Sequence, residues 1–325
     1  MYILLVALTL VTAIAVGWSI GANDAANSLG TAVGSRVLTL KQAIVLIAIF
    51  GFLGAFLQGS YVVKTVGSTG DYATWALWIA SVPANVVTSG NDNYYGKGQN
   101  QEFTSASTIL TISGFTTNST HKIIVTTDTG ASWQDNASVR TNALKYNASN
   151  GMGFRTTVGY AGDVIVIDNA YVQVIGIQSK TGGVNDRALN GEGGSTNNLL
   201  FKDCILQSNN KPVFQIYGSG CLAINLTCFM IGTSGNGCNV KNGATAIGCT
   251  VVRDSGVSAA GTGALSAYSN STLQSCAFFG FSTVASASNW DTTASKNCAT
   301  DQASGLPGST GHKYSVTYNS TTPFT

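Results

Sequence analysis

The sequence predicts an all-β protein, a parallel β-helix (solenoid), preceded by an N-terminal α-helical transmembrane hairpin. Two observations carry this prediction. Residues 1–67 contain two long uncharged apolar segments, whereas residues 68–325 contain short β-prone runs separated by Gly, Asn and Ser. In the second part a similar frame around cysteine recurs every 21–27 residues, a spacing that fits one coil of a β-solenoid. We therefore expect two domains, residues 1–67 and residues 68–325.

The composition excludes several classes of protein. The 16 basic and 14 acidic side chains make up 9% of the 325 residues, against about a quarter in an average soluble domain. This excludes an ordinary enzyme fold with a charged surface, a coiled coil and a disordered chain driven by charge. The net charge is +2 and there is no basic run, so nucleic acid is not an expected partner.

The first part of the chain is predicted to be a membrane hairpin. Met1–Ala22 contains no charged residue, and Ala43–Val63 is a second uncharged stretch, of 21 residues. Each is long enough to cross a hydrocarbon layer about 30 Å thick as a helix. Arg36 and Lys41 favour a cytoplasmic connection by the positive-inside rule, which makes the chain after Lys64 extracytoplasmic, on a cell or virion surface. A cleaved signal peptide is the alternative for the first segment, but a basic n-region is lacking.

A polar run between the apolar segments is the first candidate site. Residues 21–28 read GANDAANS, and such groups at membrane depth are costly unless they line a polar cavity or coordinate an ion. A polar loop at the interface is the alternative. The run GANDAANSLGTAVGSRVLTLKQA, followed by GAFLQGSYVVKT, resembles the opening of the inorganic phosphate transporter (PiT) family over about residues 1–67. The resemblance implies that Asn23, Asp24 and Asn27 help to bind phosphate and a coupling cation, Na⁺ or H⁺.

The resemblance covers one copy of this signature. Transporters of the PiT family resemble two inverted halves that build their site jointly, and each half supplies one copy. No later segment of this chain approaches 18 uncharged apolar residues. We therefore expect residues 1–67 to anchor the chain in membrane lipid, and inorganic phosphate transport only if other subunits complete the bundle.

The second part of the chain repeats around its cysteines. Five of them lie in similar frames separated by 24, 21, 27 and 22 residues, and Ile175 takes the same position 29 residues before the first. Each turn of a parallel β-helix places its strand over the preceding one at about 4.8 Å. Six side chains are therefore predicted to stack in one inward column: Ile175, Cys204, Cys228, Cys249, Cys276 and Cys298.

Free thiols are the favoured state of this column, because free cysteine behaves as a small buried hydrophobe. Disulfides are the alternative in an extracytoplasmic location, with Cys221 and Cys238 the pair to expect. Side chains stacked in parallel register do not readily reach the S–S torsion near 90°. His121 and His312 stand apart from any CxxC or His-Cys cluster, so we expect no metal and no cofactor.

An amphipathic helix near residues 71–80 is predicted to cap the first coil, with Asp71 as its N-cap. Tyr72, Trp75, Ala76 and Ile79 share one face of this helix. A partner-binding helix is the alternative. No cap is evident after the strand-like run 314–318, which leaves truncation or pairing with another subunit, as in a homo-oligomer, as alternatives at the other end.

Three further stretches carry a second resemblance. GDYATW at 70–75, SVRTNAL at 138–144 and NCATD at 297–301 resemble right-handed parallel β-helix proteins of environmental viruses and bacteria, which are similar in shape to pectate-lyase-like and tailspike folds. The resemblance spans about residues 68–325 and implies a right-handed coil. It transfers no functional residue.

The acidic residues do not form a convincing catalytic pair. A carbohydrate-active β-helix needs two carboxylates at a workable separation or a cation site with a basic residue. Asp163 and Asp168 are five residues apart, so one strand would direct them to opposite faces. The other acidic candidates are Asp186, Glu192, Asp203 and Asp254. We expect no enzyme, with a polysaccharide lyase or hydrolase as the alternative.

A surface role is the leading prediction. Flat outer ladders of Ser, Thr, Asn and aromatic side chains suit contact with glycans. The sequence thus predicts a membrane-anchored extracytoplasmic β-helix with a structural display or glycan- or partner-binding role. The aromatic candidates for stacking on a glycan are Trp133, Tyr146, Tyr160, Tyr171, Tyr217 and Trp290.

Overall fold

The chain divides into two compact units, Met1–Ser60 and Tyr61–Thr325. The computed structural model describes residues 33, 35, 39, 41–46, 49, 62–90, 93–136, 145–157, 159, 162–183, 186–191, 197–232, 235–253, 261–266, 268, 270–286 and 288–317.

The first unit is described in a few stretches. Residues 41–46 are helical, and the turn is capped because the amide of Thr39 donates to Oε1 of Gln42 over 2.9 Å. The apolar side chains of Ile44, Val45 and Ile49 are about half exposed or more. The predicted span Met1–Ala22 and most of Ala43–Val63 lie outside the described residues. Within the stretches that are described, we find no helix with the length and apolar character needed to cross a bilayer.

The second unit is a parallel β-helix of three sheets. The described residues include 23 strands, numbered in chain order, and all their pairings are parallel.

The first sheet runs in the order β1 (Val62–Val66), β2 (Asn93–Gly98), β5 (Lys122–Thr127), β8 (Val172–Ile175), β11 (Leu200–Lys202), β14 (Leu222–Ile224), β17 (Thr245–Ile247) and β20 (Thr272–Gln274). The second sheet runs β4 (Leu110–Ser113), β7 (Ile165–Asp168), β10 (Leu189–Gly191), β13 (Phe214–Tyr217), β16 (Cys238–Lys241), β19 (Thr262–Leu265) and β22 (Thr283–Ala285). The third sheet runs β3 (Glu102–Ser105), β6 (Gly153–Thr156), β9 (Gln178–Lys180), β12 (Ile205–Ser208), β15 (Thr227–Met230), β18 (Thr250–Arg253), β21 (Ala277–Phe279) and β23 (Ala299–Thr300).

A short helix packs at the N-terminal end of the solenoid. Helix α1 (Trp75–Ser81) buries Trp75 and Trp78, and a Cβ on Gly96 of β2 would stand 2.7 Å from the Trp78 ring. Thr74 is its N-cap, accepting from the amide of Leu77. The other helices are α2 (Trp133–Asn136) and a 3₁₀ turn, Ala148–Asn150.

The predicted N-cap at Asp71 is wrong. The carboxylate of Asp71 accepts instead from the backbone amide of Thr65 in β1, over 2.9 Å. The side chain is therefore engaged with the edge of the first sheet, and α1 begins later than the pattern indicates. This contact satisfies a backbone donor on an edge strand, where unpaired groups favour aggregation.

One inward column runs through six successive coils. Each of its carbonyl groups accepts a hydrogen bond of 2.8–3.0 Å from the residue that follows the next column member. All six side chains are 1% exposed or less. The members are Ile177, Cys204, Leu226, Cys249, Cys276 and Cys298.

Two of the six predicted column residues are therefore wrong. Ile175 pairs with Lys202 in the first sheet and is only half-buried on the outer face. Cys228 pairs with Leu206 and Val251, which places it in a second inward column, two residues further along the coil.

A left-handed residue before each column position explains both errors. These residues are Gly176, Asp203, Asn225, Gly248, Ser275 and Asn297, with φ between 52° and 76°. Such a bend resets the alternation of side chains, so the residue directly after it points inward. In the frame Asn225-Leu-Thr-Cys that residue is Leu226, because the bend is at Asn225.

All seven cysteines carry free thiols and are buried, Cys221 and Cys238 among them. The thiol of Cys204 donates to the carbonyl of Lys202 over 3.1 Å. Burial raises the pKa of Cys204 to about 12. A thiol of this kind is a packing group and a poor nucleophile at neutral pH.

Candidate functional site

The signature residues Asn23, Asp24 and Asn27 lie outside the described residues. Their predicted role in binding phosphate and a cation therefore stays a prediction. The site that the structure describes in atomic detail lies on the outer face of the second sheet, across β7, β10, β13 and β16.

A ladder of amide side chains crosses this outer face. Phe214 and Ile216 of β13 point into the core, so Gln215 between them points outward. The strand register sets Gln215 beside Asn190 of β10 and Asn239 of β16. Although they face outward, all three side chains are 7% exposed or less.

The ladder is one directed chain of hydrogen bonds that ends on a carboxylate. Asn239 donates to Oε1 of Gln215 over 2.8 Å, and Gln215 donates to Oδ1 of Asn190 over 3.2 Å. Asn190 donates to Oδ2 of Asp163 over 2.6 Å. An ionised carboxylate only accepts hydrogen bonds, so Asp163 fixes the direction of every amide after it. We call these four residues the polar ladder: Asp163, Asn190, Gln215 and Asn239.

Two basic side chains hold the ladder in place. The amide nitrogen of Arg187 donates to Oδ1 of Asp163 over 2.7 Å, and its Nη1 lies 3.3 Å from Oδ2. Nζ of Lys241 donates to Oε1 of Gln215 over 3.0 Å. The ladder ends at Asn239 because the next strand offers Leu265 at that position. The result is a rigid polar floor with its donors and acceptors in fixed directions.

Aromatic groups lie beside the floor, where strands of the second sheet end. Tyr217 at the end of β13 meets Tyr268 edge to face, with ring centroids 5.8 Å apart and an interplanar angle of 80°. Tyr268 is 64% exposed. Lys241, at the end of β16, is the register partner of Tyr217. We call these three residues the aromatic rim.

The other predicted aromatic residues are not gathered at this site. Trp133 donates from Nε1 to the carbonyl of Asp203, and Trp290 donates to the carbonyl of Ser286. The Tyr146 hydroxyl donates to Glu102 over 2.8 Å, and burial followed by this bond raises the pKa of Tyr146. Tyr171 has a left-handed backbone with φ of 53°, and Tyr160 lies outside the described residues.

The acidic candidates are dispersed or already engaged. Asp203 accepts from Nδ2 of Asn225 over 2.7 Å and pairs with Lys202. Glu192 and Asp254 lie outside the described residues. In the part of the chain that the structure covers, no three His, Cys, Asp or Glu side chains gather where a metal ion would be held.

The prediction that Asp163 and Asp168 point to opposite faces is wrong. Strand β7 begins at Ile165, after Asp163, so strict alternation does not extend back to that residue. Asp163 contacts the outward side chain of Asn190, and Asp168 is exposed at the end of β7. Asp163 is nonetheless occupied by Arg187 and Asn190, which leaves it unsuited to act as a free general base.

Sequence reasoning missed most of this site. It identified Tyr217 and Asp163, but not Arg187, the amide ladder, Lys241 or Tyr268. A signal was present, because amide side chains recur at positions 190, 215 and 239, close to the coil length. It was obscured by the many other Asn residues in the loops.

Comparison with known proteins divides the chain in two. Residues 20–87 match the sequence model of the phosphate transporter family. A putative phosphate permease of Chlamydia pneumoniae is 48% identical over 79 residues, covering 24% of this chain and 16% of that protein. A putative phosphate permease of Pyrococcus abyssi is 49% identical over 59 residues, covering 18% and 15%. The chloroplastic inorganic phosphate transporter 2-1 of Arabidopsis thaliana is 47% identical over 58 residues, covering 18% and 10%.

The chain thus spans about a sixth or less of the length of these relatives. The matched range ends at residue 87, inside the second compact unit.

Among solved structures, the pectin methylesterase of Aspergillus niger is similar with a TM-score of 0.41 and 14% identity, covering 78% of this chain and 84% of that protein. A pectin methylesterase in complex with a hexasaccharide has a TM-score of 0.38 and 12% identity, covering 78% and 92%. The assignment of the parallel β-helix rests on the strand pairing described above.

Proposed function

We propose that this protein is a membrane-anchored, extracytoplasmic β-helix that binds glycans on the outer face of its second sheet. The observation that carries the proposal is the aromatic rim beside the polar ladder. A sugar presents one apolar face and a ring of hydroxyl groups, and an exposed tyrosine beside ordered polar groups matches both features.

The rim is arranged for stacking before any ligand arrives. Tyr217 supports the ring of Tyr268 from the side, so binding a sugar would immobilise few rotamers. The ladder beneath is fixed by its bond to Asp163, and Lys241 is held by Gln215. Such preorganisation improves affinity because less conformational entropy is lost on binding.

The experiment is a glycan array probed with the full-length chain, followed by calorimetric titration of a glycan that binds. We expect Tyr268→Ala to weaken binding roughly tenfold, which corresponds to about 1.4 kcal/mol. Tyr314→Ala is the matched control, because Tyr314 is also exposed and also meets a ring, that of His312 at 6.1 Å. An array without binding, or equal losses in both variants, would overturn the proposal.

Membrane anchoring by residues 1–67 is supported by two observations. Residues 20–87 match a transporter family, and the helical turn 41–46 leaves Ile44 and Val45 exposed. Protease treatment of intact cells tests this part. We expect external protease to remove the β-helix from the cell surface, and a fully protected chain would contradict the orientation.

Phosphate handling is a second candidate function, favoured by the family match alone. We propose that Asn23, Asp24 and Asn27 contact phosphate and its coupling cation when other subunits complete the transporter. Uptake of labelled phosphate should then disappear in Asp24→Asn. Asp71→Asn is the matched control, since it makes the same chemical change inside the matched range. Equal uptake in Asp24→Asn and the control would remove this candidate.

A further inference from the structure

The turn between β9 and β10, residues 181–187, holds buried oxygen atoms that lack hydrogen bonds. Asp186 is 0% exposed, and within the described residues neither oxygen of its carboxylate has a hydrogen-bond partner. The hydroxyl of Thr181, in the same turn, is buried without a partner as well. Buried carboxylates are normally paired, hydrogen-bonded or bound to a metal ion.

The charged neighbours of Asp186 do not compensate it. The guanidinium of Arg187 is directed at Asp163 instead. Burial raises the pKa of Asp186, the backbone amides of Gly162 and Gly183 lower it, and the charge of Asp163 raises it again. A positive charge in the turn would relieve the burial penalty and the repulsion from Asp163 together.

Further oxygen atoms face the same turn. Gly182 packs so closely on the preceding coil that a Cβ there would collide with the carbonyl oxygens of Thr156 and Thr157. Its amide donates to the hydroxyl of Thr156 over 2.8 Å. The turn thus combines a carboxylate, a hydroxyl and nearby carbonyl groups. Oxygen atoms of these three kinds are the ligands of hard cations.

We propose that the turn 181–187 binds one hard cation of the Ca²⁺ class, with the Asp186 carboxylate as the charged ligand and the Thr181 hydroxyl as a neutral one. The cation joins the coil that contains β6 to the coil that contains β9, because the carbonyl groups of Thr156 and Thr157 lie on the preceding coil. Its role is structural. The site lies before β10, whereas the aromatic rim lies where the strands of the same sheet end.

The test is thermal unfolding of the full-length chain after removal of divalent cations, with Ca²⁺ then added back. We expect the melting temperature to rise by roughly 5–10 °C at one hundred times the Kd, and Asp186→Asn to abolish the rise. Asp168→Asn is the matched control, because it removes an exposed carboxylate of the adjacent coil and should keep the full rise. Thr181→Val should shift the midpoint of the Ca²⁺ titration to about tenfold higher concentration.

Direct binding keeps the proposal falsifiable if Asp186→Asn does not fold. Equilibrium dialysis of the unaltered chain with labelled Ca²⁺ should give one bound ion per chain. Absence of bound Ca²⁺, or an unchanged melting temperature together with a more stable Asp186→Asn, would overturn it. The second result would identify Asp186 as a neutral buried acid.

Discussion

Shortening Leu226 should destabilise the solenoid as strongly as a core mutation in a globular protein. Leu226 is 1% exposed and stacks between Cys204 and Cys249. Leu226→Ala removes about three buried carbon groups, which is about 2.4 kcal/mol at about 0.8 kcal/mol each. The rungs above and below are fixed by backbone hydrogen bonds, so the cavity will not collapse, and the total should reach about 3–4 kcal/mol.

The assay is urea unfolding followed by far-ultraviolet circular dichroism. Thr227→Ala is the control, because Thr227 is the next residue on the same strand and is only half-buried. That change should stay within about 0.5 kcal/mol. A loss below about 1 kcal/mol for Leu226→Ala, or a larger loss for Thr227→Ala, would refute the assignment of Leu226 to the column.

Three further predictions follow from the core and the turn. Gly98→Ala should lower the free energy of unfolding by about 1–3 kcal/mol, because the added Cβ would collide with the sulfur of Met152; unchanged urea unfolding would contradict this packing. Cys204, with its pKa raised to about 12, should resist iodoacetamide at pH 8 in the native chain and react once urea is added; rapid alkylation of the native chain would contradict its burial. The pKa of Asp186 is raised above 3.8 in the fold, so its carboxyl group favours folding below that pH and opposes folding as the pH rises. Without divalent cations, Asp186→Asn should therefore melt higher than the unaltered chain at pH 7 and lose this advantage toward pH 3.8, and an advantage that is the same at both pH values would contradict the burial of this charge.

The coil repeat was predictable because cysteine marks it. Cys204, Cys249, Cys276 and Cys298 each follow a left-handed residue, so their frames are similar and their spacing shows the coil. Cys228 shares the letters of that frame but not its geometry. The column position depends on which residue adopts positive φ, and Asp, Asn, Ser and Gly all occupy that position here. Letter patterns alone therefore missed Leu226 and Ile177.

The candidate site was less predictable, because it depends on register between coils. Asn190, Gln215 and Asn239 become neighbours only when the strands are aligned. The loops between these strands differ in length, so the separations do not repeat regularly. Tyr268 follows β19 in a loop, and its contact with Tyr217 bridges two coils. The position of α1 was approximated for a similar reason, since the contact of Asp71 with Thr65 is tertiary.

Distances along the outer ladder of the first sheet test the central claim most directly. That claim is a continuous parallel coil in which partner residues repeat at about 4.8 Å. Ile175, Lys202, Ile224, Ile247, Gln274 and Lys296 form this outer ladder.

Spin labels on cysteines introduced at Lys202 and Lys296, four coils apart, should lie about 19 Å from each other by pulsed electron paramagnetic resonance. Moving the first label to Ile175 adds one coil and should lengthen the distance to about 24 Å. The native thiols are buried and should remain unlabelled, which the unaltered chain checks. Equal distances for the two pairs, or a shorter one for Ile175, would contradict the parallel coil.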